Sequence, residues 1–335
     1  MNEMEEPLAV EPRILERGVI ICGVESVDLD EDDRRRLLHP LVGGAILFAR
    51  NYEDRAQLTS LCREIHALRS PKLLIGVDQE GGRIQRLREG FTEIPPMRSL
   101  QTAFLHSPAK AENETQQLGA LIGKELREVG IDFTFAPVLD LDYGSSAVIG
   151  DRSFGSEPET VARLAAALHR GLRSAGCAAV GKHFPGHGFV SADSHIEVPK
   201  DTRTWAAIQS DIMPYRAMIA NGLESIMMAH VIYPEMDMQP AGYSSFWIRE
   251  TLRKRLGFRG LIFSDDLGMF GAQIVGDWVA RAEAATQAGC DVVLACNEFG
   301  AIDDLLARWQ PNFSGNHLFE LKMRWQKMTP RRMHD

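Results

Sequence analysis

A chain of 335 residues that is 44% hydrophobic and 25% charged can bury a large core. Its formal charge is −9, with Lys and Arg spread along the chain rather than gathered in a basic stripe, which argues against a nucleic-acid partner. No apolar run approaches the roughly 18–20 residues needed to span a bilayer, so a helical membrane protein is excluded.

The amino-terminal stretch MNEMEEPLAVEPR is acidic and lacks the basic and apolar regions of a secretory signal. Short apolar runs then alternate with longer amphipathic ones. The runs are GVIICG (18–23), GAILFA (44–49), LLIGVD (73–78), FTFAPVLDL (133–141), CAAVGK (177–182), SIMMAH (225–230), LIFSDD (261–266) and VVLACN (292–297). They are continuously apolar, as strands covered on both faces of a parallel sheet must be. Helical patterns lie between them, over 54–69, 114–130, 158–176 and 244–258. Ser156 with Glu159 fits a capping box, Ser244 or Ser245 can cap the helix before Gly257, and Gly176 and Gly257 stand where helices end. Eight strand–helix repeats predict a single (β/α)8 TIM-type barrel over 1–335, with a helical extension from about 310. The competing arrangement, a doubly wound open sheet, lacks a GxGxxG after the first strand. The five cysteines are scattered, form no CxxC motif and read as small buried hydrophobes, which suits a reducing cytoplasm.

In such a barrel the carboxyl ends of the strands form the catalytic face. Here strand three ends in Asp78, strand four leads towards Asp140 and Arg152, strand five ends in Lys182-His183, strand six in His230 and strand seven in Asp265-Asp266. Charged groups at buried strand ends are costly unless paired or working. Any one of the aspartates could simply accept hydrogen bonds from loop amides, and His230 reads as a satisfied rim histidine. Because side chains alternate along a strand, only one of Asp265 and Asp266 is expected to face the mouth.

The stretch GKHFPGHGFVSADSH (181–195) holds three histidines and an aspartate. His183 and His187 are four apart, but Pro185 and Gly186 between them disfavour a helix-borne metal pair, and no HExxH motif is present. Asp193 and His195 are two apart, so in an extended segment they project to one side. The carboxylate can then fix one imidazole tautomer while the other nitrogen moves a proton. A merely polar surface loop is the competing reading. The segment from Phe184 to Asp201 has no clear period and is expected to act as a lid.

Taken together, KHFPGHG, DSH, FSDDLGM, GVDQEGGRIQRL and FAPVLDL resemble the bacterial β-N-acetylglucosaminidases of glycoside hydrolase family 3, most closely the short cytoplasmic enzymes of cell-wall recycling. The resemblance runs from about residue 18 to residue 297. It implies a (β/α)8 barrel and a retaining, two-step release of non-reducing terminal N-acetylglucosamine from β-linked wall fragments, with no cofactor and no metal. By this resemblance Asp265 is the nucleophile, His195 the acid/base and Asp193 its partner. Asp78, Arg86, Arg152, Lys182 and His183 hold the sugar hydroxyls. The expected partner is a small saccharide, on a monomer or weak dimer. Two departures stand out: Phe189 replaces the aspartate usual after GHG, and Gly268-Met269-Phe270 replaces Ser-Met-Glu. The competing functions are a phosphorylase of the same family, to which a neutral histidine would admit phosphate, a non-catalytic sugar-binding barrel and a metal-dependent hydrolase.

Overall fold

The computed structural model describes residues 13–14, 16–190 and 198–329. Eight strands close a barrel: β1 (Ile20–Gly23), β2 (Val42–Leu47), β3 (Leu74–Val77), β4 (Phe133–Thr134), β5 (Ala178–Phe184), β6 (Ser225–Met228), β7 (Leu261–Asp266) and β8 (Val292–Ala295). Every neighbouring pair in the barrel is parallel, and β8 pairs with β1 to complete the ring. All eight coincide with the apolar runs. The reason is burial on two faces, by the barrel interior and by the helices outside.

The fourth strand is much shorter than its apolar run. Pro137 offers no N–H to a ladder, so regular pairing stops at Thr134. The chain nonetheless stays beside β5, since Leu139 N donates to Lys182 O at 2.6 Å and Lys182 N donates to Pro137 O at 3.1 Å. Inside the barrel, Phe133, Phe135 and Phe263 pack as a ring cluster with centroids 5.1–6.1 Å apart. Gly76 on β3 makes room for it, because a Cβ there would overlap the Phe133 ring.

The helices include α1 (Glu31–Leu37), α2 (Arg55–Ala67), α3 (Ser99–His106), α4 (Pro108–Glu128), α5 (Pro158–Ser174), α6 (Trp205–Ala220), α7 (Trp278–Ala288), α8 (Phe299–Arg308) and α9 (Gly315–Met328). Between β6 and β7 runs a π-helix, Phe246–Arg255, whose first amides are met by the Ser244 hydroxyl, 3.2 Å from Trp247 N. The capping box expected at Ser156 is not formed: α5 starts at Pro158 with Glu157 before it, and proline's preset φ substitutes for a side-chain cap. Gly176 and Gly257 do end their helices, at φ +74° and +70°. Helix α9 closes the amino-terminal end of the barrel. Its Trp325 is 1% exposed, donates Nε1–H to Gly18 O at 3.1 Å and meets Phe263 edge-on. The opposite, carboxyl-terminal mouth is left open.

Among the described residues, no helix is long and apolar enough to cross a membrane.

Candidate active site

The open mouth contains a cavity of about 240 Å³ bordered by side chains from the ends of six strands. Phe48 follows β2, Asp78 follows β3, Lys182 and His183 lie on β5, Met227 on β6, Asp265 and Asp266 on β7, and Cys296 follows β8. Arg86 and Arg152 reach in from the loops after β3 and β4. The structure thus brings together Asp78, Arg86, Arg152, Lys182, His183 and Asp265. Asp193 and His195 lie outside the described residues, and of the segment 184–201 only 184–190 and 198–201 are described.

One wall is a chain of alternating charges. Lys182 Nζ sits 2.7 Å from Asp78 Oδ1 and 2.7 Å from Glu80 Oε1. Glu80 also accepts both arms of the Arg152 guanidinium, at 2.8 Å each. Arg86 Nη2 lies 3.7 Å from Asp78 Oδ2. Burial raises the Glu80 carboxyl, but Lys182 and Arg152 more than offset this and pull it down to about 2. Burial likewise lowers the Lys182 ammonium, and Asp78 with Glu80 reverses the shift, so it stays protonated. Counting Arg86, three cations face two carboxylates. Such a wall presents both donors and acceptors to a ligand rich in hydroxyls.

Glu80 is the residue that sequence reasoning missed. The available signal was its spacing: it lies two residues after Asp78 in an extended segment, so both carboxylates project to the same side.

A second wall is built on Asp140. Its buried carboxylate accepts from His183 Nδ1–H at 2.7 Å, and from the backbone amides of His183 and His187 at 3.2 and 2.8 Å. Burial raises Asp140, and the His183 imidazole outweighs it, leaving the carboxyl below its ordinary value. With Nδ1 committed to Asp140, His183 offers Nε2 to the cavity. The peptide bond between Lys182 and His183 is cis, and both side chains border the cavity. His187 is kept neutral by burial and by the neighbouring His183, and its Nδ1 is buried with no hydrogen-bond partner among the described residues. Gly188 follows because the chain there presses on the next loop: a Cβ would overlap the Leu141 carbonyl.

The third wall is the end of β7. Asp265 Oδ1 accepts from Asp266 N at 2.8 Å. Asp266 Oδ1 accepts from Gly268 N at 3.1 Å and Cys296 N at 3.2 Å. Asp266 is therefore tied to the following loop as expected, yet both carboxylates border the cavity. The register against β8 shifts between Phe263 and Asp266, and such an irregularity breaks the strict alternation of sides. Burial, reinforced by Asp265, pushes Asp266 up to about 6 against the pull of the Gly268 amide. His230 sits at the rim with Nε2 3.2 Å from Asp266 O, and burial holds its imidazole low and neutral.

Among the described residues, no three His, Cys, Asp or Glu side chains converge as a metal ion would require.

Residues 16–309 match the glycosyl hydrolase family 3 N terminal domain. A beta-hexosaminidase of Thiobacillus denitrificans is 54% identical over 292 residues, spanning 87% of this chain and 81% of that protein. One of Methylobacillus flagellatus is 52% identical over 305 residues, 91% of this chain and 87% of the relative. Among solved structures, native NagZ from Neisseria gonorrhoeae superposes with a TM-score of 0.89 at 44% identity, covering 95% of this chain and 91% of that one. The same protein in complex with N-trifluoroacetyl-D-glucosamine gives 0.88 at 43% identity, with the same coverage. A cavity at the barrel mouth, walled by paired charges and by a strand-end carboxylate, together with matches of this extent, establishes the class: the chain belongs to glycosyl hydrolase family 3 and is a glycoside hydrolase of the β-N-acetylhexosaminidase type.

Proposed function

We propose that the protein releases non-reducing terminal N-acetylglucosamine from β-1,4-linked peptidoglycan fragments in which the next residue is an anhydro-muramic acid, with or without peptide. The reading is of a retaining reaction in two steps. Asp265 attacks the anomeric carbon and the glycosidic C–O bond breaks, while the His195 imidazolium gives its proton to the leaving oxygen. Water then attacks the same carbon, returns a proton to His195 and frees Asp265. Asp193 holds the His195 tautomer, and Asp78, Arg86, Arg152, Lys182 and His183 hold the sugar hydroxyls.

The observation that carries this reading is the position of Asp265. It closes a barrel strand at the mouth, in one cavity with two arginines, a lysine and a histidine that can grip hydroxyls. The cavity volume falls below the ~300–1,000 Å³ usual for ligand sites, which suits one sugar ring and hence action at a chain end. The complex of the Neisseria protein with a glucosamine derivative fits the same sugar class. The proposed compartment is the cytoplasm, which the unpaired cysteines suit.

The test is covalent trapping with a fluorinated β-N-acetylglucosaminide, followed by peptide mass mapping. The adduct is expected on Asp265. Product of inverted configuration, or an adduct on another residue, would overturn the mechanism. Sugar 1-phosphate formed on adding phosphate would replace hydrolysis by phosphorolysis.

A further inference from the structure

At the amino-terminal end of the barrel, opposite the catalytic mouth, a second cavity of about 610 Å³ opens between the π-helix and α9. The chain just before β7 and β8 borders it through Arg259, Gly289 and Asp291. The volume lies within the ~300–1,000 Å³ usual for small-ligand sites. Six arginine and lysine side chains border this cavity against three carboxylates, on a chain whose formal charge is −9.

Three of the six cations are neutralised. Asp291 accepts from Arg253 Nη2 at 2.6 Å and from Arg324 Nη1, Arg324 reaches Glu320 with its other arm, and Lys254 Nζ meets Glu250 at 2.6 Å. The other three hold only backbone carbonyls. Arg249 Nη2 donates to Gln287 O at 3.0 Å, Arg259 Nη1 to Arg253 O at 3.2 Å and Lys327 Nζ to Arg259 O at 2.8 Å. None of these three forms an ion pair among the described residues. Burial lowers the Lys327 ammonium, and Arg324, Arg253 and Arg259 lower it further. His317 borders the cavity as well, and its Nε2 is buried with no hydrogen-bond partner among the described residues.

Gathering cations that repel one another costs free energy unless an anion joins them. Guanidinium forks and a lysine point charge together suit phosphate oxygens. One phosphate group carries ~1.5–2 negative charges at neutral pH, which leaves a cation unmatched, whereas two linked phosphates balance about three.

We propose that this cavity binds a small-molecule diphosphate through Arg249, Arg259 and Lys327, in a site separate from the glycosidase cavity. The proposal does not rest on the glycosidase reading. The opposing explanation is that the cations only cover carbonyls at a helix end, since the π-helix already carries Arg253, Lys254 and Arg255 in its last turn.

The experiment is calorimetric titration of the full chain at fixed ionic strength with inorganic pyrophosphate, ADP, orthophosphate and citrate. Pyrophosphate should saturate one site, and orthophosphate should bind at least roughly tenfold more weakly. ADP binding as tightly as pyrophosphate assigns an organic diphosphate ester; ADP binding roughly tenfold more weakly assigns free pyrophosphate. Arg249→Gln and Lys327→Gln should each weaken pyrophosphate roughly tenfold, equivalent to ~1.4 kcal/mol. Both side chains are exposed and hold only a carbonyl, so the ligand-free Tm should stay at the wild-type value. No saturable pyrophosphate binding by the wild type overturns the site, and a lowered Tm in the variants would then mark the cations as structural. Unchanged affinity in both variants overturns it too. Orthophosphate or citrate binding as tightly as pyrophosphate overturns the diphosphate assignment.

Discussion

Replacing Glu80 by Gln changes one charge and almost no volume, so it isolates what the buried carboxylate does between Lys182 and Arg152. Glu80 is 2% exposed and its carboxyl is pulled from 4.5 to about 2, which corresponds to about 3 kcal/mol of stability at neutral pH. The folded-state value is depressed, so this contribution is complete above the unfolded value and is lost as pH falls from about 4.5 towards about 2. Gln leaves a buried ammonium and guanidinium with Asp78 as their remaining counter-charge, and breaking a buried pair in this way costs ~3–5 kcal/mol. For 335 residues the unfolding entropy is about 0.7 kcal/mol/K, so Tm at pH 7 should drop by about 4–7 °C. The gap between variant and wild type should close as the pH is lowered below 4. Because Lys182 and Arg152 lose their common seat, kcat/KM should fall by at least about tenfold, mainly through KM. Thermal melts across pH and steady-state kinetics on an aryl β-N-acetylglucosaminide check both. A wild-type Tm with unaltered kinetics would refute the charge-chain argument.

Asp266→Asn addresses the opposite shift. A carboxyl raised from 3.8 to about 6 binds its proton more tightly in the folded state, so wild-type stability declines as pH rises through that range, by about 3 kcal/mol in all. The variant should not show that decline, and urea midpoints at pH 4 and 7 would expose parallel curves if the reasoning is wrong. Asp140→Asn removes a charge-assisted bond worth ~1.5–3 kcal/mol to His183, so kcat/KM should fall roughly 10–100-fold with an altered pH profile. An unaltered pH profile would assign Asp140 a packing role alone. Trp325→Ala should cost ~3–5 kcal/mol in denaturant melts by emptying the plug under the barrel, with kcat/KM per folded molecule unchanged. A loss of activity beyond the loss of folded protein would show that the plug reaches the site.

The barrel was legible in the linear pattern because a two-faced strand must be apolar throughout, and all eight runs carried that mark. So were Asp78, Lys182, His183 and Asp265, since a charge at the end of such a run stands out against its neighbours. The fourth apolar run outlasts its strand, since Val138, Leu139 and Leu141 beyond Pro137 stay buried without pairing regularly. Glu80 carries no such mark, since it lies beyond the end of its apolar run. Only the folded chain carries it between Lys182 and Arg152, residues 102 and 72 positions away, where ion pairing compensates its burial. The same holds for Asp140, bland in sequence, whose role comes from β5 delivering His183 to its side. Local periodicity determines which segments become strands and where a charge must be accounted for. Which charges meet, and at what pKa, depends on barrel closure, because Coulomb and desolvation terms act through space rather than along the chain.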